Sequence, residues 1–224
     1  LTLFFLGIIL SMINNSTYRL YGRTKGRKNN KNNDAFLKIK LINIDDKNYN
    51  ILDIGSGFGE STIKIAKKNK KKIVICCDKY IDGLNNIFNN AQKELLDNIY
   101  IYQGNVHKML DEYFINNSIS EVWILFPDPW PKKKHFKRRL IDKFFFNKLK
   151  TYLKHDATIN IASDSQSYNS QILRTINQVK TDFLWVNQSK SEWEYDTNTL
   201  PETKYYKKAL ENGRKPFYVK LKKL

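Results

Sequence analysis

The chain has 224 residues, of which 41% are hydrophobic and 13% aromatic. This length and composition exclude a disordered or fibrous protein and favour one main globular domain with a full core. The 39 Lys and Arg residues outnumber 22 Asp and Glu residues, which gives a formal net charge of +17. Lys and Asn are abundant throughout, so part of this excess reflects compositional bias. The remainder indicates a polyanionic partner, with nucleic acid as the leading candidate.

The cysteines and histidines indicate neither a disulfide nor a metal framework. Cys76 and Cys77 are adjacent in an apolar run, where successive side chains of a strand point to opposite faces, so no bridge between them is expected. A reducing compartment follows, with the cytoplasm as the default location. The three histidines are dispersed and lack partners at metal-ligand spacing, so we expect no metal site.

The first 34 residues are expected to lie outside the folded domain, which would occupy residues 35–224. The apolar stretch 1–10, LTLFFLGIIL, is shorter than the roughly 20 residues that span a bilayer, so no membrane span is expected. It is typical of a targeting leader, with an organelle such as a plastid as the alternative location, or of a wrongly assigned gene start. Residues 18–34, YRLYGRTKGRKNNKNND, are basic and aperiodic, which is typical of a flexible arm able to lie on phosphates.

From residue 50 onward, short β-rich runs alternate with amphipathic stretches, which is typical of a βαβ series. The seven predicted strands are 50–55, 71–80, 98–105, 120–128, 157–164, 182–189 and 216–224. Between them, apolar residues recur at helical spacing over 61–69, 84–96, 106–117, 138–153 and 167–179. We therefore predict an α/β fold with a seven-stranded, mostly parallel sheet and helices on both faces.

The first predicted strand runs into a glycine loop within LDIGSGFGE, residues 52–60. Gly55, Gly57 and Gly59 allow a sharp turn and leave room for a ligand to approach the backbone. A strand before the loop and a helix after it are the context in which nucleotide-binding folds place such glycines. The spacing lacks the Lys-Ser/Thr of a P-loop and the third glycine of GxGxxG. It therefore favours a nucleoside ligand without a pyrophosphate.

Polar residues also stand at the ends of the first three predicted strands. Asp53 is placed to meet an ammonium group, Asp78 to accept from two ribose hydroxyls, and Asn105 to pair with an adenine edge. The carboxyl ends of neighbouring parallel strands line one crevice in open α/β sheets. S-adenosylmethionine carries all three of these groups, so we expect it as the cofactor. The alternative for Asp78 is a plain surface acid at a strand end.

The fourth predicted strand ends in FPDPWPKKKHFKRR, residues 126–139, where a single acid precedes a run of cations. Pro127 and Pro129 restrict the backbone on either side of Asp128 and so fix its direction. Trp130 either stacks on a ligand or packs at the end of the loop. The following basic residues are expected to contact RNA phosphates, with a solvated helix start as the alternative. They are Lys132, Lys133, Lys134, His135, Lys137, Arg138 and Arg139.

Taken in order, LDIGSGFGE, VICCDKY, FPDPWPKKKHFKRR, the later ASD and the near-terminal TKYY resemble the bacterial-type tRNA (guanine-N7-)-methyltransferase family. The resemblance runs from about Tyr49 to Val219. It implies a Rossmann-like class I methyltransferase with strand order 3-2-1-4-5-7-6 and an antiparallel last strand. It also implies methyl transfer from S-adenosylmethionine to N7 of the variable-loop guanine of tRNA. A monomer is the default, with a partner subunit as the alternative.

The resemblance also assigns roles to individual residues. Cofactor contacts fall on the three loop glycines and on Asp53, Asp78, Asn105 and Asp128, with Asp128 also expected to be catalytic. Guanosine or tRNA contacts fall on Lys132, Asp164, Thr203, Lys204, Tyr205 and Tyr206. Asp164 has an alternative role as the N-cap of the helix that follows it.

Four positions depart from the usual pattern of the family. Asp53 and Asp78 stand where Glu is common, which keeps the charge and shortens its reach. Asn105 stands where Asp is common and Tyr206 where Glu is common, so both positions lose a carboxylate. Glu202 and Glu211 are the candidates to replace the acid lost at Tyr206.

Two other functions remain open from the sequence. Asp-Pro-Trp after a fourth strand is similar to the Asp/Asn-Pro-Pro-aromatic motif of methyltransferases that act on exocyclic amines of adenine or guanine. The single proline before Trp130 disfavours that function. An RNA-binding protein with a degenerate cofactor site is the second alternative, suggested by Asn105 and Tyr206.

Overall fold

The structure is a computed structural model that describes Tyr21 and residues 50–224. The apolar stretch 1–10, the rest of the basic stretch 18–34 and the predicted domain start at residue 35 lie outside the described residues. In the described part, no helix combines the length and the apolar character that crossing a bilayer requires.

Within residues 50–224, seven strands form one sheet in the order β3-β2-β1-β4-β5-β7-β6. They are β1 (Asn50–Ile54), β2 (Ile73–Asp78), β3 (Ile99–Gln103), β4 (Ile119–Leu125), β5 (Leu153–Ser163), β6 (Phe183–Trp185) and β7 (Phe217–Lys223). Strands β1 to β5 pair in parallel, whereas β7 runs antiparallel to both β5 and β6. The expected strand order and the antiparallel last strand are confirmed.

The same region contains the helices α1 (Glu60–Lys68), α2 (Ile81–Lys93), α3 (Val106–Tyr113), α4 (Lys143–Tyr152), α5 (Gln166–Gln178) and α6 (Lys204–Glu211). Two short 3-10 helices span Lys133–Arg138 and Lys190–Trp193. Helix α6, which has eight residues, was not predicted; Ala209 is its one buried residue.

The predicted helix 138–153 was wrong at its beginning. The α-helix starts at Lys143, and the carboxylate of Asp142 caps it by accepting a hydrogen bond from the backbone N–H of Phe145 at 2.8 Å. Arg138 instead ends a 3-10 helix, and the backbone at Arg139 is extended. The basic segment is therefore separate from α4.

Alternate residues of the central strands enter two different cores. In β1, Leu52 and Ile54 pack in the cluster that includes residues of α3, α4 and α5, whereas Ile51 packs with Ile65 of α1 on the other face. Leu52 and Ile51 are fully buried. Truncating such a side chain to Ala costs about 2–5 kcal/mol. Two-sided burial explains why these strands read as continuous apolar runs, and it confirms helices on both faces.

Candidate functional site

The glycine loop joins β1 to α1 and packs closely on α2. Gly55, Gly57 and Gly59 have φ angles of 74°, 55° and 90°, in the left-handed region that favours glycine. A Cβ on Gly59 would lie only 2.1 Å from Cγ1 of Ile87 in α2. Glycine is therefore required at position 59, and the loop keeps its backbone exposed toward the crevice at the ends of β1 and β2.

Asp78, at the end of β2, is bonded to the glycine loop. One carboxylate oxygen accepts from the backbone N–H of Gly57 at 2.8 Å, and the other accepts from the N–H of Tyr80 at 3.0 Å. The side chain is half-buried, and a purely structural role as an acid at the strand end stays the alternative. Its contact with a ribose stays a prediction.

Asp53 is 1% exposed and lies beneath the first turn of α1. Its Oδ2 accepts hydrogen bonds from the hydroxyls of Ser61 and Thr62, each at 2.7 Å. Burial raises the pKa of Asp53 to about 6, against the opposing effect of the two hydroxyl hydrogen bonds. A cationic group that reached this carboxylate would stabilise its charged form.

Asn105 lies two residues beyond the end of β3 and caps α3. Its Oδ1 accepts from the backbone N–H of His107 at 2.8 Å, while its Nδ2 makes no hydrogen bond to any described residue. Asn and Asp cap helices equally well, so the change from the family's usual Asp keeps the cap and replaces a charge with an N–H donor. That donor is available for an acceptor atom of a ligand.

The loop Phe126–Trp130, called the FPDPW loop below, has an uncommon backbone at both ends. Phe126 and Trp130 have φ angles of 53° and 42°, a region that costs non-glycine residues about 1–3 kcal/mol each. The N–H of Phe126 donates to the carbonyl of Ala162 at 2.8 Å, which ties the loop to the end of β5. Strained backbone of this kind clusters at functional sites.

Asp128 projects from this loop into solvent. Its side chain is 64% exposed, and its Oδ2 lies 3.7 Å from Nζ of Lys79. Lys79 directly follows Asp78, so the ends of β2 and β4 meet at this point. Lys79 was not predicted as a site residue, because a single lysine after a strand carries no pattern that indicates its partner.

Most of the basic segment after the FPDPW loop is on the surface. Lys132, Lys133, Lys134 and Lys137 are exposed, and Arg138 is half-buried. The pKa of His135 is lowered by desolvation and by the charges of Arg138 and the nearby lysines. This exposed positive surface borders the carboxylate of Asp128.

Arg139 does not belong to that surface. It is 3% exposed, and its guanidinium donates to the carbonyls of Pro129 and Ser167, the hydroxyl of Ser167 and the side-chain oxygen of Gln171, at 2.8 to 3.1 Å. It also stacks on the ring of Phe136, with Cζ 3.7 Å from the centroid. The expectation that Arg139 contacts a phosphate is corrected, because its donors are already used within the protein. Arg139 instead ties the FPDPW loop to α5.

The TKYY stretch begins α6 and lies over the glycine loop. Thr203 is buried and caps α6, its hydroxyl accepting from the N–H of Tyr206 at 3.1 Å. The ring of Tyr205 lies on Gly57, with Cε2 3.6 Å from the place of a Cβ there. Burial, followed by the charges of Asp128 and Asp78, raises the pKa of the Tyr205 hydroxyl.

Lys204 and Tyr206, on either side of Tyr205, point in different directions. Nζ of Lys204 lies 4.7 Å above the ring of Phe58 in the glycine loop. The ring of Tyr206 packs within the protein against Tyr195, with the centroids 5.0 Å apart, as part of an apolar cluster. The ring of Tyr206 therefore makes an apolar packing contact at a position where the family commonly has an acid.

The two acids considered as replacements lie on or beside the same helix. Glu202 is exposed and pairs with Lys207 at 3.5 Å, and Glu211 is the exposed last residue of α6. Glu202 stands next to the TKYY stretch, whereas Glu211 is one and a half turns beyond Tyr206. The structure therefore favours Glu202, and its contact with substrate stays a prediction.

Asp164 is paired within the protein. Strand β5 ends at Ser163 and the N-cap of α5 is Ser165, so the alternative that Asp164 caps this helix is wrong. Its Oδ2 instead accepts from Nε of Arg214 at 2.7 Å. Its contact with guanine stays a prediction.

Residues that fit S-adenosylmethionine thus meet at the carboxyl ends of β1, β2 and β3. They comprise a buried acid with an elevated pKa, a loop with three glycines at positive φ and an amide N–H₂ that has no hydrogen-bond partner among the described residues. Among the described residues, no group of three or more His, Cys, Asp and Glu side chains is arranged to hold a metal ion. The expected absence of a metal stays a prediction.

Comparison with known proteins identifies relatives over most of the chain. A family model described as a putative methyltransferase matches residues 47–219. A tRNA (guanine-N(7)-)-methyltransferase of Leptospira interrogans serogroup Icterohaemorrhagiae serovar copenhageni is 30% identical over 184 residues, covering 81% of this chain and 83% of that protein. One from Buchnera aphidicola subsp. Baizongia pistaciae is 34% identical over 175 residues, covering 78% and 71%.

Solved structures agree with this fold. An rRNA methylase from Streptococcus thermophilus superposes with a TM-score of 0.53 over 79% of this chain and 87% of that one. At 14% sequence identity, this likeness shows the fold alone.

Proposed function

Since this chain belongs to the tRNA (guanine-N(7)-)-methyltransferase family, we propose that its target is the N7 atom of the guanine in the variable loop of tRNA. The cofactor is S-adenosylmethionine, which supplies a methyl group activated by a sulfonium. The observation that carries the proposal is the placement of Asp128, exposed on a strained loop between the cofactor crevice and a basic surface.

The residues at the ends of β1 to β3 are the ones that would hold the cofactor. Asp53 would pair with its ammonium group, Asp78 with its ribose hydroxyls and Asn105 with its adenine edge. The glycine loop would let its backbone approach the nucleoside without a Cβ in the way. These roles are supported by the buried carboxylate of Asp53 and the unpaired Nδ2 of Asn105.

Guanine N7 has an in-plane lone pair and carries no hydrogen, so the reaction requires no general base. The protein has to position the base and to tolerate the positive charge that appears on it after methylation. Asp128 suits both tasks, because its carboxylate can accept from the N1–H and N2–H₂ edge of guanine and offsets that charge. Lys79, 3.7 Å away, balances the charge of Asp128 before the base arrives.

The basic segment would hold the RNA. Lys132, Lys133, Lys134 and Lys137 are exposed beside the FPDPW loop and would contact phosphates that flank the target. Such contacts give affinity that falls steeply with salt. Displacing the guanine from the tRNA interior toward Asp128 costs a few kcal/mol, which these contacts would offset.

We further propose that the enzyme works as a monomer in a reducing compartment, with the cytoplasm as the default and an organelle as the alternative. Cys76 and Cys77 are both buried and unbridged, which supports a reducing compartment.

The experiment that tests the proposed target uses two tRNA transcripts that differ only in the variable-loop guanine. The protein is incubated with each transcript and with S-adenosylmethionine carrying a labelled methyl group, and incorporation into RNA is measured. We expect incorporation into the transcript with guanine and none after guanine is replaced by adenine. Equal incorporation into both transcripts would place the target elsewhere.

A further inference from the structure

Two aromatic rings hold the guanidinium of Arg138. Its Cζ lies 5.0 Å from the ring centroid of Tyr21 and 4.9 Å from that of Trp130. The two rings meet edge to face, with centroids 6.2 Å apart. Trp130 also meets the ring of His135 at 5.8 Å. Tyr21, far away in the sequence, thus packs on the loop that carries Asp128.

Arg138 and Arg139 are neighbours with opposite environments. The guanidinium of Arg139 donates four hydrogen bonds to protein oxygens, whereas Arg138 makes none to any described residue. The Nε of Arg138 is shielded from solvent without a partner. The two Nη groups also lack a hydrogen-bond partner among the described residues but are not shielded, so they are the donors that a bound anion can reach.

The rings orient Arg138 without using its donors. A guanidinium stacks on aromatic faces through its plane and donates its N–H groups at its edge, in a fork that matches phosphate. A side chain held in this way loses less conformational freedom when it binds RNA. The hydroxyl of Tyr21 makes no hydrogen bond to a described residue, so the ring alone provides the contact.

We propose that Tyr21 is a positioning residue: together with Trp130, it holds Arg138 in an orientation in which Arg138 can bind a tRNA phosphate beside Asp128. This proposal rests on the proposed function. Tyr21 touches neither cofactor nor base in this arrangement. Its effect reaches the substrate through Arg138 and through the strained end of the FPDPW loop at Trp130.

The test compares Tyr21→Ala with Tyr21→Phe in the full chain. We expect Tyr21→Ala to raise KM for tRNA about tenfold, the size of a lost cation–π contact, with little change in kcat. The dissociation constant for S-adenosylmethionine should stay the same, because the cofactor residues are not touched. Tyr21→Phe keeps the ring and should behave as the wild type. Phe144→Ala, which removes a ring that is 60% exposed on α4, is the matched control and should leave KM unchanged.

Two further measurements separate positioning from simple stability. Arg138→Gln should raise KM for tRNA by itself, and adding Tyr21→Ala to it should have little further effect. Hydrogen exchange of backbone amides in residues 130–138 should rise in Tyr21→Ala and not in Tyr21→Phe, while the melting temperature of the protein stays the same.

An unchanged KM for tRNA in Tyr21→Ala would overturn the proposal, as would a Tyr21→Phe variant that behaves like Tyr21→Ala. A melting temperature of Tyr21→Ala low enough to explain the change in KM by unfolding would also overturn it. If the wild-type protein methylates no guanine N7, the proposed function fails. Hydrogen exchange and direct tRNA binding would then still test whether Tyr21 positions Arg138.

Discussion

The carboxylates in the two halves of the site differ in hydrogen bonding and exposure. In the cofactor half, formed by the glycine loop and the ends of β1 to β3, Asp53 and Asp78 each accept two hydrogen bonds from neighbouring protein groups. In the substrate half, formed by the FPDPW loop and the basic segment, Asp128 is 64% exposed with Lys79 as its salt-bridge partner at 3.7 Å. The half proposed to bind the cofactor is thus organised before ligands bind, while the half proposed to bind substrate keeps a carboxylate exposed.

Order in the substrate half comes from the backbone and from Arg139 rather than from contacts to Asp128 itself. The two residues with positive φ and the hydrogen bond from Arg139 to the carbonyl of Pro129 hold the loop on either side of the carboxylate. An acid oriented in this way can face a positively charged product, since Lys79, its salt-bridge partner, lies 3.7 Å away and the side chain is largely exposed. Four experiments test this contrast.

The largest effect is expected at Asp128. Changing Asp128→Asn keeps the size of the side chain and removes the charge that offsets the methylated base. We expect kcat to fall roughly 100-fold, or about 3 kcal/mol, which single-turnover kinetics would measure. The affinity for tRNA should change little. A variant that keeps its kcat and loses only affinity would contradict a catalytic role.

Gly59→Ala tests whether close packing organises the cofactor half. The added Cβ would lie 2.1 Å from Ile87, at a φ of 90°, so we expect a loss of about 3 kcal/mol in the free energy of unfolding, together with weaker cofactor binding. Gly213→Ala is the matched control, because its φ is 66° and no atom lies within 4 Å of the added Cβ. It should cost only about 1 kcal/mol. Equal losses in a denaturant titration would show that backbone strain alone, without the contact to α2, accounts for the effect.

Arg139→Met and Lys137→Met test the separation of structural and RNA-contacting cations. Removing Arg139 deletes four hydrogen bonds made by a guanidinium that is 3% exposed, so we expect the free energy of unfolding to fall by about 2–3 kcal/mol. Lys137 is exposed, and its removal should leave stability within about 0.5 kcal/mol while weakening tRNA binding and its dependence on salt. The opposite pattern would indicate that Arg139 contacts RNA and that Lys137 has a structural role.

The free energy of unfolding is expected to depend on pH through Asp53. Because burial raises its pKa to about 6 in the folded state, its contribution to stability is fully present below pH 4 and is lost as pH rises through 6. We expect the wild type to lose about 2 kcal/mol over this window relative to Asp53→Asn, measured by denaturation at each pH. Asp97→Asn, which removes an exposed acid, controls for the loss of a negative charge. A constant difference between wild type and Asp53→Asn would refute the elevated pKa.

The contrast between the halves also explains what could be predicted from the sequence. The cofactor half depends on local patterns, since apolar strands, a glycine loop and a polar residue at each strand end are contiguous along the chain. The strands, the loop and the roles expected of these residues could therefore be stated from the pattern, whereas the strand order came from the family resemblance. Even here, the partners of Asp78 and Asn105 came from loop and cap geometry that the pattern does not specify.

The substrate half depends on contacts between distant segments. Arg138 and Arg139 are indistinguishable in sequence, and only the packing of α5 decides that Arg139 is buried. Helix α6, only eight residues long, was not predicted, and Tyr21 reaches the site from outside the predicted domain. These features follow from tertiary structure rather than from local preference.

The most direct test of the account is the nucleoside composition of tRNA after incubation with the protein and S-adenosylmethionine. The tRNA is digested to nucleosides and separated by mass-resolved chromatography, with Asp128→Asn treated in parallel. We expect 7-methylguanosine as the new nucleoside with the wild type and little or none with the variant. N2-methylguanosine or N6-methyladenosine without 7-methylguanosine would contradict it, as would equal yields of 7-methylguanosine from both proteins.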